Sequence, residues 1–249
     1  ARARNVSVLV STTHEEPARE AELLAQLRSR RVDGLILMPA GGDEAGHLER
    51  AAADGVPVVA IDRQPPGWAG DCVVTDHREA SKLATEHLLA AGHRSIAFVG
   101  HLPRISSAQA RLAGYRQAMA EAGAPIDDNL VALGNHNAEI AHRTALRMLT
   151  SARPPTAFFS AQDVITLGVV RALHERGAQH RIALVGFDDV PLADLLDPPL
   201  TVIAQDPRLI GELAAERVFA RQDHPGLPPE TITVAGRLIR RGSGEIPPP

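Results

Sequence analysis

Short aliphatic runs alternate with amphipathic stretches along nearly the whole chain. Runs at 6–11, 34–38, 56–61, 73–75, 95–100, 130–133, 156–160, 181–187 and 201–204 predict strands. Continuous apolar runs of this length are what strands covered on both faces carry. Between them, stretches near 17–30, 43–54, 77–91, 107–122, 137–151, 163–176 and 207–221 repeat their apolar residues at helical spacing. Leu83, Leu88 and Leu89 mark one such face, and Leu167, Val170 and Leu173 another. Gly55, Gly92, Gly123 and Gly177 each stand just beyond a predicted helix, where a left-handed cap is wanted. Regular alternation of strand and helix predicts parallel sheets with helices on both faces. Nine strands are too many for one comfortable sheet in a chain of this size. The reading is therefore α/β, with two Rossmann-like parallel-sheet subdomains and a cleft between them. No low-complexity linker interrupts the pattern, and only the tail Pro247-Pro248-Pro249 reads as disordered.

Composition narrows the function more than the fold. Hydrophobic residues make up 44% of the 249 and charged residues 22%, the balance of an ordinary globular protein. No apolar run approaches the ~20 residues of a membrane-spanning helix. Cys72 is the only cysteine, which excludes an internal disulfide and a cysteine-built metal site. A formal charge of −4 argues against nucleic-acid binding by these residues themselves, which would require a basic face.

Candidate chemistry sits where strands end. In Ile182-Ala183-Leu184-Val185-Gly186-Phe187-Asp188-Asp189 a buried strand reaches a glycine and then two carboxylates. Ligands of open α/β sheets bind outside such carboxyl ends, so Asp188 is a candidate acceptor for hydroxyl or amino groups. An Asp in that place also caps turns and helices, and the octet alone does not decide. Asp62 ends another aliphatic strand beside Arg63, where the alternative is an ion pair that stiffens the loop. Enzyme readings find little support. Adjacent carboxylates at 188 and 189 point apart and cannot share a proton. Asp62 and Asp188 could flank a glycoside, but nothing in the sequence raises the pKa of either. No nucleophile elbow, P-loop or dinucleotide fingerprint occurs: Gly41-Gly42 follows a strand without the further glycines, and Arg241-Gly242-Ser243-Gly244 lies in the terminal tail. The 11 histidines show no ligand pair at helical spacing, and His93 reads as structural. Trp68 reads as a loop residue available for a lid or a protein contact, and Phe187 as core packing beside Asp188.

Seven short motifs stand in register from 31 to 205. They are Arg31-Val32-Asp33-Gly34-Leu35-Ile36-Leu37, Pro57-Val58-Val59-Ala60-Ile61-Asp62-Arg63, and His87-Leu88 leading to Gly92-His93-Arg94. Then come Arg111-Leu112-Ala113-Gly114-Tyr115, Ser160-Ala161-Gln162-Asp163 with Gly168, the turn from Gly186 to Asp189, and Pro198-Pro199-Leu200-Thr201 with Gln205. Each is weak alone; together they are specific. On them the chain resembles the effector-binding core of LacI/GalR-type bacterial transcription regulators. It resembles less closely the periplasmic sugar-binding proteins that share the fold. The resemblance covers essentially the whole chain.

The resemblance implies a periplasmic-binding-protein-like type I architecture. One subdomain would comprise 1–76 plus 207–235 and the other 77–206 plus 236–249, with crossings near 76, 206 and 235. Two departures stand out. Residues 1–4 read as the tail of a helix, so the family's opening strand and helix are expected to be missing from the sequence given. The helix-turn-helix and hinge are not in this chain either. Gln179-His180-Arg181 is also a shorter loop than usual.

The resemblance further implies ligand contacts at Asp62, Ser107, Arg111, His136, Gln162, Asp188 and Gln205. Arg111, with its fixed fork of donors, suits a diol or a carboxylate. Gln162 stands where the family often has Asn, reaching one methylene further. Ser107 lies one turn before Arg111, His136 where an aromatic platform is found, and Gln205 where the chain crosses between subdomains. No catalytic residue, metal or cofactor is expected. The implied partners are a small-molecule effector (a sugar first, a purine next), operator DNA through a domain outside this chain, and a second copy of the chain. The N-subdomain would carry most of the dimer surface nearest the DNA, and no membrane is involved. Effector binding would tilt one subdomain against the other in a cytoplasmic regulator. The alternative is a periplasmic or lipid-anchored sugar-binding protein of a transporter.

Overall fold

A computed structural model describes residues 5–41 and 46–249. Residues 1–4, and the beginning of the helix expected at 43–54, lie outside the described residues, as does Gly42. In chain order the elements are α1 (Pro17–Ser29), β1 (Leu35–Leu37), α2 (Gly46–Ala53), β2 (Val58–Asp62), β3 (Asp71–Thr75), α3 (His77–Ala90), β4 (Ile96–Val99), α4 (Ser106–Glu121), β5 (Val131–Ala132), α5 (Ala138–Leu149), β6 (Ala157–Ser160), α6 (Asp163–Glu175), β7 (Ala183–Phe187), β8 (Thr201–Ala204), α7 (Pro207–Asp223), β9 (Thr231–Val234) and β10 (Arg237–Ile239). The chain divides into two compact units. Unit 1 is Ala1–Thr75 with Asp206–Val234, and unit 2 is Asp76–Gln205 with Ala235–Pro249.

Unit 1 holds a parallel sheet in the order β1-β2-β3-β9. Leu24, Leu48, Val58, Ala60 and Trp68 pack on one face, and Val59, Val73, Ile210, Ala214 and Val218 on the other. Asp206 accepts from the Leu209 amide and Pro207 follows it, the capped, proline-led start that sets a helix off cleanly. Asp71, at the amino end of β3, is closed off from solvent and accepts from Arg217 Nε at 2.7 Å, from Arg221, and from the Glu230 amide at 2.9 Å. That carboxylate ties β3 to α7 and to the strand entry of β9. Burial alone would raise its pKa, but the two guanidinium hydrogen bonds outweigh this and hold it below the ordinary value.

Unit 2 holds a six-stranded sheet in the order β10-β8-β7-β6-β4-β5, parallel except for β10. Every residue of β4, β6, β7 and β8 is buried, which explains their unbroken apolar runs. Helices α3 and α4 cover one face and α5 and α6 the other. Asp76 and Asn137 cap α3 and α5 through their side chains. His93 is fully buried; Nδ1 meets Thr156 Oγ1 at 2.9 Å and Nε2 meets the Ile246 carbonyl at 2.8 Å. The tail is thereby fastened to the start of β4. Ser243 adds a second stitch, donating to the Leu184 carbonyl at 2.6 Å and accepting from the Thr201 amide at 2.9 Å.

Several sequence expectations need correction. The run at 6–11 forms no strand: Val8 is 66% exposed and Val10 90%. Apolar composition supplies strand propensity, but a strand exists only where a neighbour meets its amides and carbonyls. Among the described residues no strand pairs with this run. The sequence reading also stopped at 204, whereas β9 and β10 follow α7. Both are short edge strands carrying exposed or half-exposed residues, so neither shows a buried run. Trp68 is no lid. Its indole is buried in the core of unit 1, lies against Gly70, and donates to the Asp71 carbonyl at 3.2 Å. Of the proline tail expected to be disordered, Pro248 lies against Gly92 while Pro247 and Pro249 are exposed.

Candidate functional site

The parallel strands of unit 2 all end at one edge, so the segments following β4, β5, β6, β7 and β8 converge there. Six of the seven sequence-derived candidates belong to those segments. Asp62 is the exception; it ends β2 in unit 1.

Arg111 is the most tightly held of these candidates. The spacing Arg-x-x-Gly-Tyr has a separate physical reason at each position. A side chain at Gly114 would run into the Arg78 carbonyl, so only glycine lets α4 lie directly against the backbone of α3. Tyr115 is fully buried and donates to the Ile96 carbonyl at 2.9 Å, locking α4 onto β4. Burial pushes its hydroxyl pKa up to about 12, so it stays a donor at any physiological pH. With the helix fixed, Arg111 is only 6% exposed at the strand ends. Its Nη1 donates to the Ala161 carbonyl at 2.7 Å and its Nε to His77 Nδ1 at 3.3 Å. The guanidinium carbon stands 3.8 Å from the ring centroid of Phe187, a cation–π arrangement.

Asp188 follows β7 with φ of +70°, a left-handed conformation costly for a residue with a side chain. Gly186 lies two residues earlier because a side chain there would press on Thr166 at 2.9 Å, where α6 begins. The Asp188 carboxylate accepts from Gln205 Nε2 at 2.6 Å, so two candidates from neighbouring strands form one polar pair. Asp189 is turned away and takes both terminal nitrogens of Arg241, at 2.8 and 2.7 Å. The two adjacent carboxylates therefore act independently.

Gln162 begins α6 without capping it through its side chain, and its Oε1 is buried with no hydrogen-bond partner. An orphaned buried acceptor is uncommon and costs free energy unless a ligand supplies a donor. Ser107 is buried in the first turn of α4, one turn from Arg111; Ile105, not a serine, is the N-cap. His136 is exposed, with Nδ1 3.1 Å from the Gly134 carbonyl. The buried member of that loop is Asn135, which donates to the carbonyls of Gly100 and Ala132 at 3.1 Å each and joins the loops after β4 and β5. Asp62 in unit 1 has φ of +65° and accepts from Arg63 Nε at 3.0 Å; Arg63 also reaches Glu15 at 3.3 Å.

Sequence reasoning missed His77 and the Ala161 carbonyl. A backbone acceptor leaves no trace in residue identity. His77 could have been suspected only from its place directly after the helix-capping Asp76. Phe187 is core, as read, but it also carries the Arg111 guanidinium. Among the described residues no cluster of three or more potential ligands could hold a metal, and no helix is long and apolar enough to cross a membrane.

Residues 85–244 match the family model described as a periplasmic binding protein-like domain. The chain is 32% identical over 214 residues to the HTH-type transcriptional regulator DegA of Bacillus subtilis, covering 84% of this chain and 62% of that protein. The chain thus spans less than two thirds of that relative's length. It is 31% identical to the ribose operon repressor of Escherichia coli, over 96% of this chain and 73% of the repressor. A crystal structure of a LacI-family regulatory protein from Chloroflexus aggregans superposes with a TM-score of 0.83 at 29% identity, covering 97% of this chain and 87% of that one.

Proposed function

Because the chain belongs to the LacI family of transcription regulators, we propose that it is the effector-sensing core of such a regulator. Its ligand is a small polyhydroxylated metabolite, a sugar, bound at the carboxyl edge of unit 2. The single observation that carries this reading is the convergence of Arg111, the Asp188–Gln205 pair and the orphaned Gln162 acceptor on that edge. A guanidinium and an amide supply donors, and a carboxylate and a second amide supply acceptors. A vicinal diol offers both kinds of group on adjacent atoms, which suits such a mixed set. Ser107 and His136 remain candidate contacts of the same ligand, and Asp62 a separate candidate at the carboxyl end of β2 in unit 1.

In this reading the protein acts in the cytoplasm as a homodimer. Operator DNA is gripped by a domain outside this chain, and sugar binding changes operator affinity. Such coupling requires the sugar to bind one state of the protein better than another. The similarity to the ribose operon repressor is matched by 31% identity to the PurR repressor of Vibrio parahaemolyticus, so the sugar reading rests on the donor and acceptor set and not on the relatives. The relatives named above are regulators, so the transport-receptor alternative is not carried forward.

The test is thermal unfolding of the chain with D-ribose, D-glucose, D-galactose and cellobiose. A sugar present at about 100 times its Kd should add about 2.7 kcal/mol of stability. Arg111→Ala should abolish that gain while preserving the circular dichroism of the unliganded protein. A sugar that stabilises the variant and the parent equally would remove Arg111 from the site.

A further inference from the structure

We infer that His77 is a positioning residue for Arg111: it fixes the plane of the guanidinium that the proposed effector meets. The inference rests on the reading of Arg111 as an effector contact and adds a part that neither the motifs nor the comparisons assign.

One position and two contacts carry it. His77 is the first residue of α3, directly after the helix-capping Asp76, so backbone geometry holds its Cα at the carboxyl edge of the sheet. Its ring is 5% exposed and tilted against Phe187, with centroids 5.8 Å apart and planes at 45°. Its Nδ1 accepts from Arg111 Nε at 3.3 Å. Phe187 thus touches both partners: the guanidinium lies over its face while the imidazole packs beside it.

The chemistry of that contact is directional. Arginine is always a donor, so His77 Nδ1 must be the unprotonated ring nitrogen, and the ring proton sits on Nε2. A guanidinium has a single Nε–H, and its direction fixes the plane of all five donors. The Ala161 carbonyl takes one terminal nitrogen and the Phe187 face fixes tilt. The acceptor at Nε removes the remaining rotation about the end of the side chain. A donor fork held in one orientation loses less freedom when a ligand binds.

Two variants separate ring from acceptor. His77→Phe keeps an aromatic ring against Phe187 and removes the acceptor. His77→Asn removes the ring but places an amide oxygen at the Nδ1 position. In proton–nitrogen spectra of the 15N-labelled chain, the Arg111 Nε–H signal is identified by its loss in Arg111→Lys. It should be protected from exchange in the parent and in His77→Asn, and should broaden or vanish in His77→Phe. Affinity for whichever sugar of the panel stabilises the parent should fall about tenfold in His77→Phe and stay within twofold in His77→Asn. Protection retained in His77→Phe overturns the inference, and so does protection lost equally in both variants, because ring packing would then be the cause. The spectra need no ligand, so they stand even if Arg111→Ala shows that Arg111 is not an effector contact. That second result would sink the proposed site and leave the His77–Arg111 geometry intact.

Discussion

Asp71 and Arg111 are charged side chains almost closed off from solvent, 1% and 6% exposed, and they are built for opposite ends. Asp71 opens β3 at the amino edge of unit 1. Two guanidinium groups and a backbone amide surround its carboxylate. Arg111 lies at the carboxyl edge of unit 2, steered by a ring nitrogen, a backbone carbonyl and an aromatic face. The first arrangement satisfies opposite charge with opposite charge and fastens a strand to a helix. The second sets the direction of a charged group. Burial alone does not distinguish a fastener from the sensor proposed for Arg111; the kind of partner and the edge of the sheet do.

The contrast is broken most severely at Asp71. Asp71→Ala would take the shared acceptor from the Nε groups of Arg217 and Arg221, leaving Arg217 with Glu230 and Arg221 with the Leu227 carbonyl, and removing one member of a buried pair typically costs about 3–5 kcal/mol. A denaturant midpoint unchanged by that substitution would show that the cluster fastens nothing. Gly114→Val comes next. Forcing a branched side chain against the Arg78 carbonyl should cost about 1–3 kcal/mol or more, and sugar stabilisation should fall with it, since α4 carries Arg111. Normal sugar stabilisation in a destabilised Gly114→Val protein would uncouple the helix crossing from the site.

A smaller effect is expected from pH. Burial lowers the pKa of His93 in the folded protein, while the unfolded value is about 6.5. The unfolded chain therefore takes up the proton first. Stability contributed by neutral His93 is complete above about pH 6.5 and is lost as pH falls toward the depressed folded value. Comparing denaturation midpoints of the parent and His93→Gln between pH 7.5 and 5 checks this. The parent should show the steeper acid loss; parallel curves would clear His93 of the effect. Smallest in stability is Asp188→Asn, because asparagine tolerates the left-handed backbone about as well as aspartate. It should change stability by less than about 1 kcal/mol, yet remove sugar stabilisation. If the sugar still stabilises it, the sensor half of the comparison loses its carboxylate.

Much of this architecture was legible because it is periodic. Strands β4, β6, β7 and β8 are buried on both faces, and so spell themselves out as apolar runs. The helices announce themselves through the apolar spacing of residues such as Leu83, Leu88 and Leu89 and through Gly92, Gly123 and Gly177, which take left-handed conformations just beyond their ends. What failed was everything decided by a neighbour. The run at 6–11 had the composition of a strand but found no strand to pair with, while the half-polar β9 and β10 are strands only because β3 and β8 receive them. Trp68 looked available because proline and glycine surround it, and yet it fills the core of unit 1. At the candidate site, the motifs named Arg111, Asp188, Gln162 and Gln205, all in segments at the carboxyl edge of the unit 2 sheet. The support behind Arg111 was hidden, because a carbonyl has no residue signature and one histidine after a helix cap looks like any other.

The order in which the ribosome releases this chain has a bearing on how it can fold. β9 completes the sheet of unit 1 only at Thr231–Val234, and Ser243 and Ile246 stitch unit 2 later still. Neither unit can close while its first half is emerging. Unit 1 must wait, with the face that α7 covers left open, until residues 207–234 are made, whereas unit 2 has α3 to α6 on both faces of its sheet once residue 204 is out. Vectorial synthesis thus lets unit 2 collapse before unit 1, although unit 1 leads the sequence, and leaves the open face of unit 1 as the one in need of protection meanwhile.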